Sequence, residues 1–370
     1  MDVVTRNVLQ YLKQHGLLTN AQIVNGGVMI VMDRSRNRFV LAIQRSGPSY
    51  FLKQALESEF GTKETVAREA YIYRRSFSDE LFAPLRQYLP KLYHFEPQET
   101  VLAIEHVESS KNLADIHRQA VRCPTEVARK LGRGMSAYHR ITFETNTPVE
   151  STFPRKLPWI FELFNQPDLS RLRQRSPACS KLIDLILKTP RFSELLAALS
   201  ADWISDTLIN SDMKWENCLL APDNLPYEHR RLYMIDWELA DIGDAAWDVG
   251  SIFQCYVNMW ISSMGIKISP GNDDYVSNAT VSIESIQEGI VAFWDAYRSG
   301  CEEHQNRSRH FLERCARMMA ARMLITAYEY SSPTSELDPR AVLMTQTALN
   351  VLESPIDTVR ALLGIEVSND

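Results

Sequence analysis

The sequence has no C-x-x-C pair, no basic tract, no long apolar run and no internal repeat. Each absence removes a class of protein. The six cysteines, at 123, 179, 218, 255, 301 and 315, are scattered, so they indicate neither a zinc site nor a disulfide framework. They read as reduced, mostly buried thiols of a cytoplasmic protein. The net charge is −6, which argues against nucleic acid as a partner. No apolar segment reaches the length that spans a bilayer, so no membrane partner is expected. The N-terminal stretch has Val4, Val8, Leu9, Leu12 and Leu17 set among charges, the pattern of an amphipathic helix rather than a signal peptide. Low-complexity segments and long linkers are missing too.

What is present suits a globular chain. The 370 residues, 45% hydrophobic and 23% charged, suffice for a large core and for two lobes or domains. Residues 20–55 read as strands: Ile23 to Met32, Arg38 to Ile43 and Tyr50 to Gln54, separated by polar turns at 33–37 and 45–49. A helix from Glu64 to Phe77 carries Val66, Ala70 and Tyr73 on one face, with Glu69 beside that face. Leu92 to Phe95 and Thr100 to Val107 complete a mostly antiparallel sheet of five strands. Beyond Lys111 the pattern turns helical. Val127, Leu131, Met135 and Tyr138 form a stripe after Thr125, a predicted N-cap. Prolines at 148, 154, 158, 167, 177 and 190 break residues 144–200 into short helices. Longer helices are predicted over 248–262, 281–299, 309–330 and 339–363. The resulting boundaries are residues 1–107 for a nucleotide-binding lobe and 108–370 for a helical one.

The chemistry is concentrated in Asn210-Ser211-Asp212-Met213-Lys214-Trp215-Glu216-Asn217 and in Ile235-Asp236-Trp237-Glu238. Moving a γ-phosphoryl group requires alignment and charge neutralisation more than covalent chemistry. A carboxylate must orient and deprotonate the attacking hydroxyl, and Asp212 fits. Oxygen ligands must hold Mg2+ against the phosphates of ATP, and Asn217 and Asp236 fit. Lys53, on the third strand, can reach the phosphates, with Glu69 on the following helix to orient it. Lys214, two residues beyond the base, is placed to touch the γ-phosphate. Singly, each is a common loop or surface residue; the ordered set is what is specific.

These motifs resemble the aminoglycoside phosphotransferase and choline kinase-like superfamily. Its aspartate-asparagine loop is matched at Asp212 and Asn217. Its Ile-Asp-Trp-Glu is matched at 235–238, and its Gly-Asp-x-x-x-Asp tail at Gly243, Asp244 and Asp248. Leu52-Lys53-Gln54 and Arg68-Glu69-Ala70 match its strand lysine and helix glutamate. The likeness runs over about 20–330 and is strongest at 203–250. It implies an α+β, two-lobed protein-kinase-like fold: a small antiparallel N-lobe with one key helix, and a larger, mainly helical C-lobe. It also implies an adenine site at a hinge near Ile104, Glu105, His106 and Val107. Asp248 reads as a buttress of the catalytic loop, Trp237 and Trp247 as core, and His139 as structural, since Asp212 is the better candidate for proton abstraction. Glu238 stays open between a supporting partner of the site and a surface charge.

Two features depart from that pattern. Asn210 replaces the histidine two residues before the base, and its amide can still brace the loop. The turn covering the phosphates lacks glycines; Asp33-Arg34-Ser35-Arg36-Asn37 offers Ser35 as a β-phosphate contact, while Arg34 and Arg36 are either phosphate ligands or solvated turn residues. Gly26-Gly27 is the alternative loop. The acceptor half is less specified. Trp159, Phe161, Phe164, Trp203, Trp260, Asp273, Asp274, Glu284, Glu288 and Trp294 are acids and aromatics that would suit a cationic small molecule such as an amino-alcohol or aminosugar. Lys214 gives the loop a Ser/Thr protein kinase character, which keeps a peptide acceptor open, including precursor peptides of lanthipeptide-type pathways. No A-P-E signature follows Asp236, which argues against a signalling kinase. A non-catalytic nucleotide-binding scaffold is the third reading, opposed by the intact Lys53, Asp212, Asn217 and Asp236.

Overall fold

In the computed structural model, residues 3–25, 27–34, 38–44, 47–55, 61–143, 152–166, 168–265, 276–301 and 309–366 are described. The first half of the chain runs α1 (Val3–Gln14), α2 (Asn20–Val24), β1 (Val28–Arg34), β2 (Arg38–Gln44), β3 (Tyr50–Gln54), α3 (Thr62–Ser78), β4 (Leu92–Glu96), β5 (Val101–Glu105), β6 (Lys111–Asn112), α4 (Leu113–Gln119) and α5 (Thr125–His139). Four short or medium helices follow: α6 (Trp159–Glu162), α7 (Ser170–Arg173), α8 (Pro177–Leu187) and α9 (Pro190–Ala201). Then come β7 (Thr207–Ile209), β8 (Cys218–Ala221), β9 (Arg231–Met234) and β10 (Asp241–Gly243). The chain closes with α10 (Ala245–Ser263), α11 (Ile283–Gly300), α12 (Arg309–Ser331), α13 (Pro339–Glu353) and α14 (Pro355–Ala361). Two compact units result. One comprises Met1–Leu113, Pro148–Phe153 and Glu216–Ala240; the other comprises Ala114–Thr147, Pro154–Trp215 and Asp241–Asp370.

The first unit is built on an antiparallel five-stranded sheet of order β1-β2-β3-β5-β4. Side chains alternate across a strand, and here the two faces have different work. Val40, Tyr50, Leu52, Val101 and Ala103 pack against Val8, Tyr11, Leu12 and Leu18 from α1 and the turn after it. The intervening residues Phe39, Phe51, Lys53 and Ile104 therefore face the other way. In α3 the buried positions are Thr62, Thr65, Val66, Glu69, Ala70, Ile72, Tyr73 and Ser76, a stripe at helical spacing that contains one carboxylate. A small sheet, β6-β8-β9, carries Asn217 and Asp236 at its strand ends.

In the second unit α5 packs on α11, and α10 and α13 pack on α12. The predicted stripe of Val127, Leu131, Met135 and Tyr138 is wholly buried. Residues 318–327 of α12 are buried without a break, so this helix is enclosed on all sides. Gly250 of α10 sits at a close approach to α12: a Cβ there would lie 2.6 Å from the Met319 nitrogen and 2.7 Å from the Cys315 carbonyl oxygen. All six cysteines are free and buried. No helix among the described residues is long and apolar enough to cross a membrane.

Three local expectations change. The strand expected from Ile23 to Met32 starts only at Val28, because Thr19 and Gln22 form a reciprocal capping box that opens α2. Thr125 is the first residue of α5 rather than its cap; the Pro124 carbonyl accepts the first helical bonds, from Val127 and Ala128. The helix expected over 339–363 is two, divided at Ser354-Pro355, where proline cannot donate to the preceding turn.

Candidate active site

In the first unit, alternation along β3 turns Lys53 away from the α1 face, and the helical stripe of α3 turns Glu69 inward to meet it. The Lys53 ammonium lies 2.7 Å from Glu69, 2.8 Å from Asp236 and 2.8 Å from Glu238. Asp236 follows β9 with φ +61°, a left-handed backbone that residues other than glycine, aspartate included, adopt only in a small minority of cases. Such strain persists where the surroundings over-determine it. The surroundings here are explicit. The Asn217 carbonyl accepts the Ile235 N–H at 2.9 Å, Trp237 Nε1 donates to the Met234 carbonyl at 3.0 Å, and Arg68 donates to the Glu238 carbonyl at 3.0 Å.

The charges answer to this crowding. Burial alone would pull the Lys53 ammonium down, but Glu69, Asp236 and Glu238 outweigh it and hold the pKa above the usual lysine range. Glu69 is pushed up, first by burial and then by its two neighbouring carboxylates, against the pull of Lys53. One ammonium is thus shared among three acids, and one oxygen from each lies within 4.8 Å of the others. Asp236 is the most open of the three, its side chain 38% exposed. Hard oxygen donors that crowd in this way fit a divalent cation such as Mg2+.

Beside this cluster is a cavity of about 220 Å³, lined by Phe39, Phe51, Ile104, Val107, Leu219 and Ile235 among others, with Glu69, Asn217 and Asp236 at its polar side. The Phe39 and Phe51 rings are stacked at 5.3 Å. Glu105, His106 and Ser110 also line it. An apolar slot with a few convergent charged groups is the usual form of a small-molecule site. At the expected hinge, the Glu105 N–H donates to the Lys91 carbonyl and the His106 N–H to the Ser49 carbonyl.

In the second unit β7 leads into the loop that carries Asp212. Asp248 anchors it: its carboxylate accepts the Asn210 N–H at 2.7 Å, the Ser211 N–H at 3.1 Å and the Tyr138 hydroxyl at 2.7 Å. Trp247 donates to the Ser211 carbonyl at 3.0 Å. Ser211 itself is left-handed, with φ +68°. Asn210 is fully buried, and its side-chain oxygen accepts the Asp212 N–H at 3.2 Å. The Asp212 carboxylate then carries two cations, Lys214 at 2.5 Å on Oδ2 and Arg322 at 2.9 Å on Oδ1. Burial lowers the Lys214 pKa, and Asp212 more than compensates, leaving it raised. His139 is buried with Nδ1 2.9 Å from the Tyr297 hydroxyl.

The structure therefore joins Lys53, Glu69 and Asp236 in one cluster and puts Asn217, Ile104, Glu105 and Val107 on the adjoining cavity. Lys214 is joined to Asp212. Ser35 and Arg36 lie outside the described residues, as do Gly26, Asp273 and Asp274, and only the backbone of Arg34 is described. Of the acceptor candidates, Phe161 and Trp203 pack around Trp247, Trp294 stacks on Tyr297 and Phe311, and Glu288 pairs with Arg122 at the surface. Glu238, left open from the sequence, is a partner of Lys53. Arg322 was missed. Its signal is an arginine within Met-Met-Ala-Ala-Arg-Met-Leu-Ile-Thr-Ala, where a buried charge must find a counter-ion.

No protein-family model and no curated protein matches the chain. Solved structures do. Choline kinase from Cryptosporidium parvum Iowa II superposes with a TM-score of 0.55 at 12% identity, covering 97% of this chain and 98% of that one. Amicoumacin kinase hAmiN, in complex with AMP-PNP, Ca2+ and Ami, superposes with a TM-score of 0.50 at 14% identity, covering 95% and 94%. The antiparallel sheet, the lysine-bearing strand and the helical second unit together give this chain the α+β kinase-like fold of those two structures.

Proposed function

We propose that the protein is an ATP-dependent phosphotransferase acting on a hydroxyl of a small molecule. The observation that carries this reading is Lys53 held among Glu69, Asp236 and Glu238 at the edge of an apolar slot. A buried ammonium fixed by carboxylates can serve as a phosphate anchor, and the slot beside it has the apolar lining that an adenine ring requires. The ring would lie between Phe39 or Phe51 and Leu219, with its polar edge at the hinge. There the Glu105 and His106 N–H groups are already engaged, so Val107 is assigned the donor role.

Asp236 and Asn217 would hold Mg2+, which when bound supplies charge neutralisation to the phosphates. Glu69 and Glu238 orient Lys53, and Arg68 fixes the turn that carries Glu238. In the second unit Asp212 is assigned as the base that orients and takes the proton of the acceptor hydroxyl. Asn210 and Asp248 hold its loop. Lys214 is the mobile cation for the transferring group; Arg322 is the fixed one that aims the carboxylate. The kinases of shared fold are named for choline and amicoumacin, which supports a small-molecule acceptor.

The test is phosphate transfer from [γ-32P]ATP and Mg2+ to a panel of amino-alcohols, aminosugars and other small hydroxyl compounds, with mass detection of the product. Asp212→Ala should lower turnover by about 10²–10⁴-fold while nucleotide binding persists. Binding of ATP without transfer to any acceptor, or transfer unaffected in Asp212→Ala, would sink the proposal.

A further inference from the structure

We infer that His15, His94 and Glu96 form a second metal site, suited to Zn2+ and independent of the nucleotide cation. One ligand atom from each lies within 4.8 Å of the others. The chain brings them together through regular geometry. His94 and Glu96 are two apart on β4 and so share a face. His94 is paired with Ala103 and Glu96 with Val101, two residues on the side of the sheet that α1 covers. His15 continues the last turn of α1, its N–H donating to the Tyr11 carbonyl at 3.1 Å. Tyr11 and Leu12 are buried in the same core, so the helix end is fixed over the strand. The site is on the opposite face of the sheet from Lys53 and Ile104.

A second observation points to a missing ligand. The Tyr11 hydroxyl and His94 Nε2 are buried and have no hydrogen-bond partner among the described residues. Tyr11 is 3% exposed, and its ring centroid is 4.4 Å from that of His15 and 6.3 Å from that of His94. Two orphaned polar atoms at one spot, beside a carboxylate and a second imidazole 4.1 Å away, are costly unless something joins them. A cation on His94, His15 and Glu96, with a water in the fourth position hydrogen-bonded to Tyr11, satisfies all of them.

The donor set selects the metal. Two imidazoles and one carboxylate are a zinc set, whereas Mg2+ prefers oxygen alone. The site ties the end of α1 to β4, which closes roughly 80 residues of chain and restricts the unfolded state accordingly.

The experiment uses the full chain, stripped with chelator and titrated with ZnCl2. Bound metal is counted by elemental analysis after gel filtration, and melting is followed by calorimetry. Wild type should retain one Zn2+ per chain and melt at a higher temperature with zinc. His15→Ala, at the half-buried helix end, and Glu96→Gln should each weaken binding at least tenfold and abolish the zinc-dependent shift. His229→Ala, an exposed histidine elsewhere, should behave as wild type. Co2+ should give a visible absorption spectrum of four-coordinate type in wild type and not in His15→Ala. Retention of no zinc, or equal retention by wild type, His15→Ala and Glu96→Gln, overturns the site. Because the readouts are binding and melting, failure here leaves the phosphotransferase reading untouched.

Discussion

Asp212 carries a cation on each carboxylate oxygen, and the two cations differ in kind. Lys214 lies on the same loop and is 34% exposed, while Arg322 is 8% exposed in the middle of a buried helix. A lysine there can leave for an arriving phosphate; the arginine cannot move without disturbing α12. Arg322→Met should therefore lower kcat on the order of 10²-fold, the usual loss for a misaligned reacting group, with the KM for ATP nearly unchanged. Steady-state kinetics on the folded variant check this, and a rise in the KM for ATP with kcat intact would refute it. Arg322→Lys should recover part of the rate. The neighbouring backbone obeys the same logic. Ser211 and Asp236 both hold left-handed conformations, and each is fixed by hydrogen bonds from its own unit.

At the scale of elements, helix contacts set the site as much as loop chemistry does. Gly250 lets α10, which carries Asp248, close on α12, which carries Arg322. A methyl group there meets backbone, which cannot give way as a side chain can. Gly250→Ala should cost about 1–3 kcal/mol and reduce turnover beyond what the remaining folded fraction explains. Thermal melts with activity per folded molecule test both parts. Helix α13 offers a pH-dependent case. Its cap, Asp338, accepts the Arg340 N–H at 2.8 Å. The Arg340 guanidinium, with that N–H, holds the carboxyl below the usual range. A depressed folded value means stabilisation present above the unfolded pKa and lost as pH falls through the folded one. Asp338→Ala should thus cost about 1 kcal/mol near neutrality. That difference should shrink as the medium is acidified below about pH 4, as paired melts at successive pH values would show.

For the whole molecule, ligand binding should appear as stability. MgATP at a hundredfold its Kd adds about 2.7 kcal/mol to the state that binds it. Calorimetry should show an upward shift of several degrees with MgATP, and a much smaller one with ATP in Mg2+-free buffer, because the acids around Lys53 repel triphosphate until a cation is present. An equal shift with and without the metal would contradict the assigned metal ligands. Reductant should not matter, since all six cysteines are free.

Much of this was legible in residue order. Period-two alternation placed β3 at Tyr50 to Gln54 and turned Lys53 to one face. The 3.6-residue period placed Glu69 in reach of it. The Asp212–Asn217 spacing and the Ile235–Glu238 run pointed to the proposed phosphoryl-transfer chemistry, and the family resemblance they carry implied the fold. These are local or periodic signals, which a chain writes directly. The partners that come from distant segments were not legible. Glu238 became a ligand of Lys53 only because the turn after β9 folds beneath α3. Arg322 met Asp212 only because α12 is enclosed, which leaves its charge in need of a carboxylate, and the half-buried Asp212 supplies it. His15 reached His94 and Glu96 only because α1 lies across the sheet. Residue order determined which residues are available for the proposed chemistry. Packing alone decided which charges share a low-dielectric space, because contact between segments far apart in the chain is settled by the core and not by spacing.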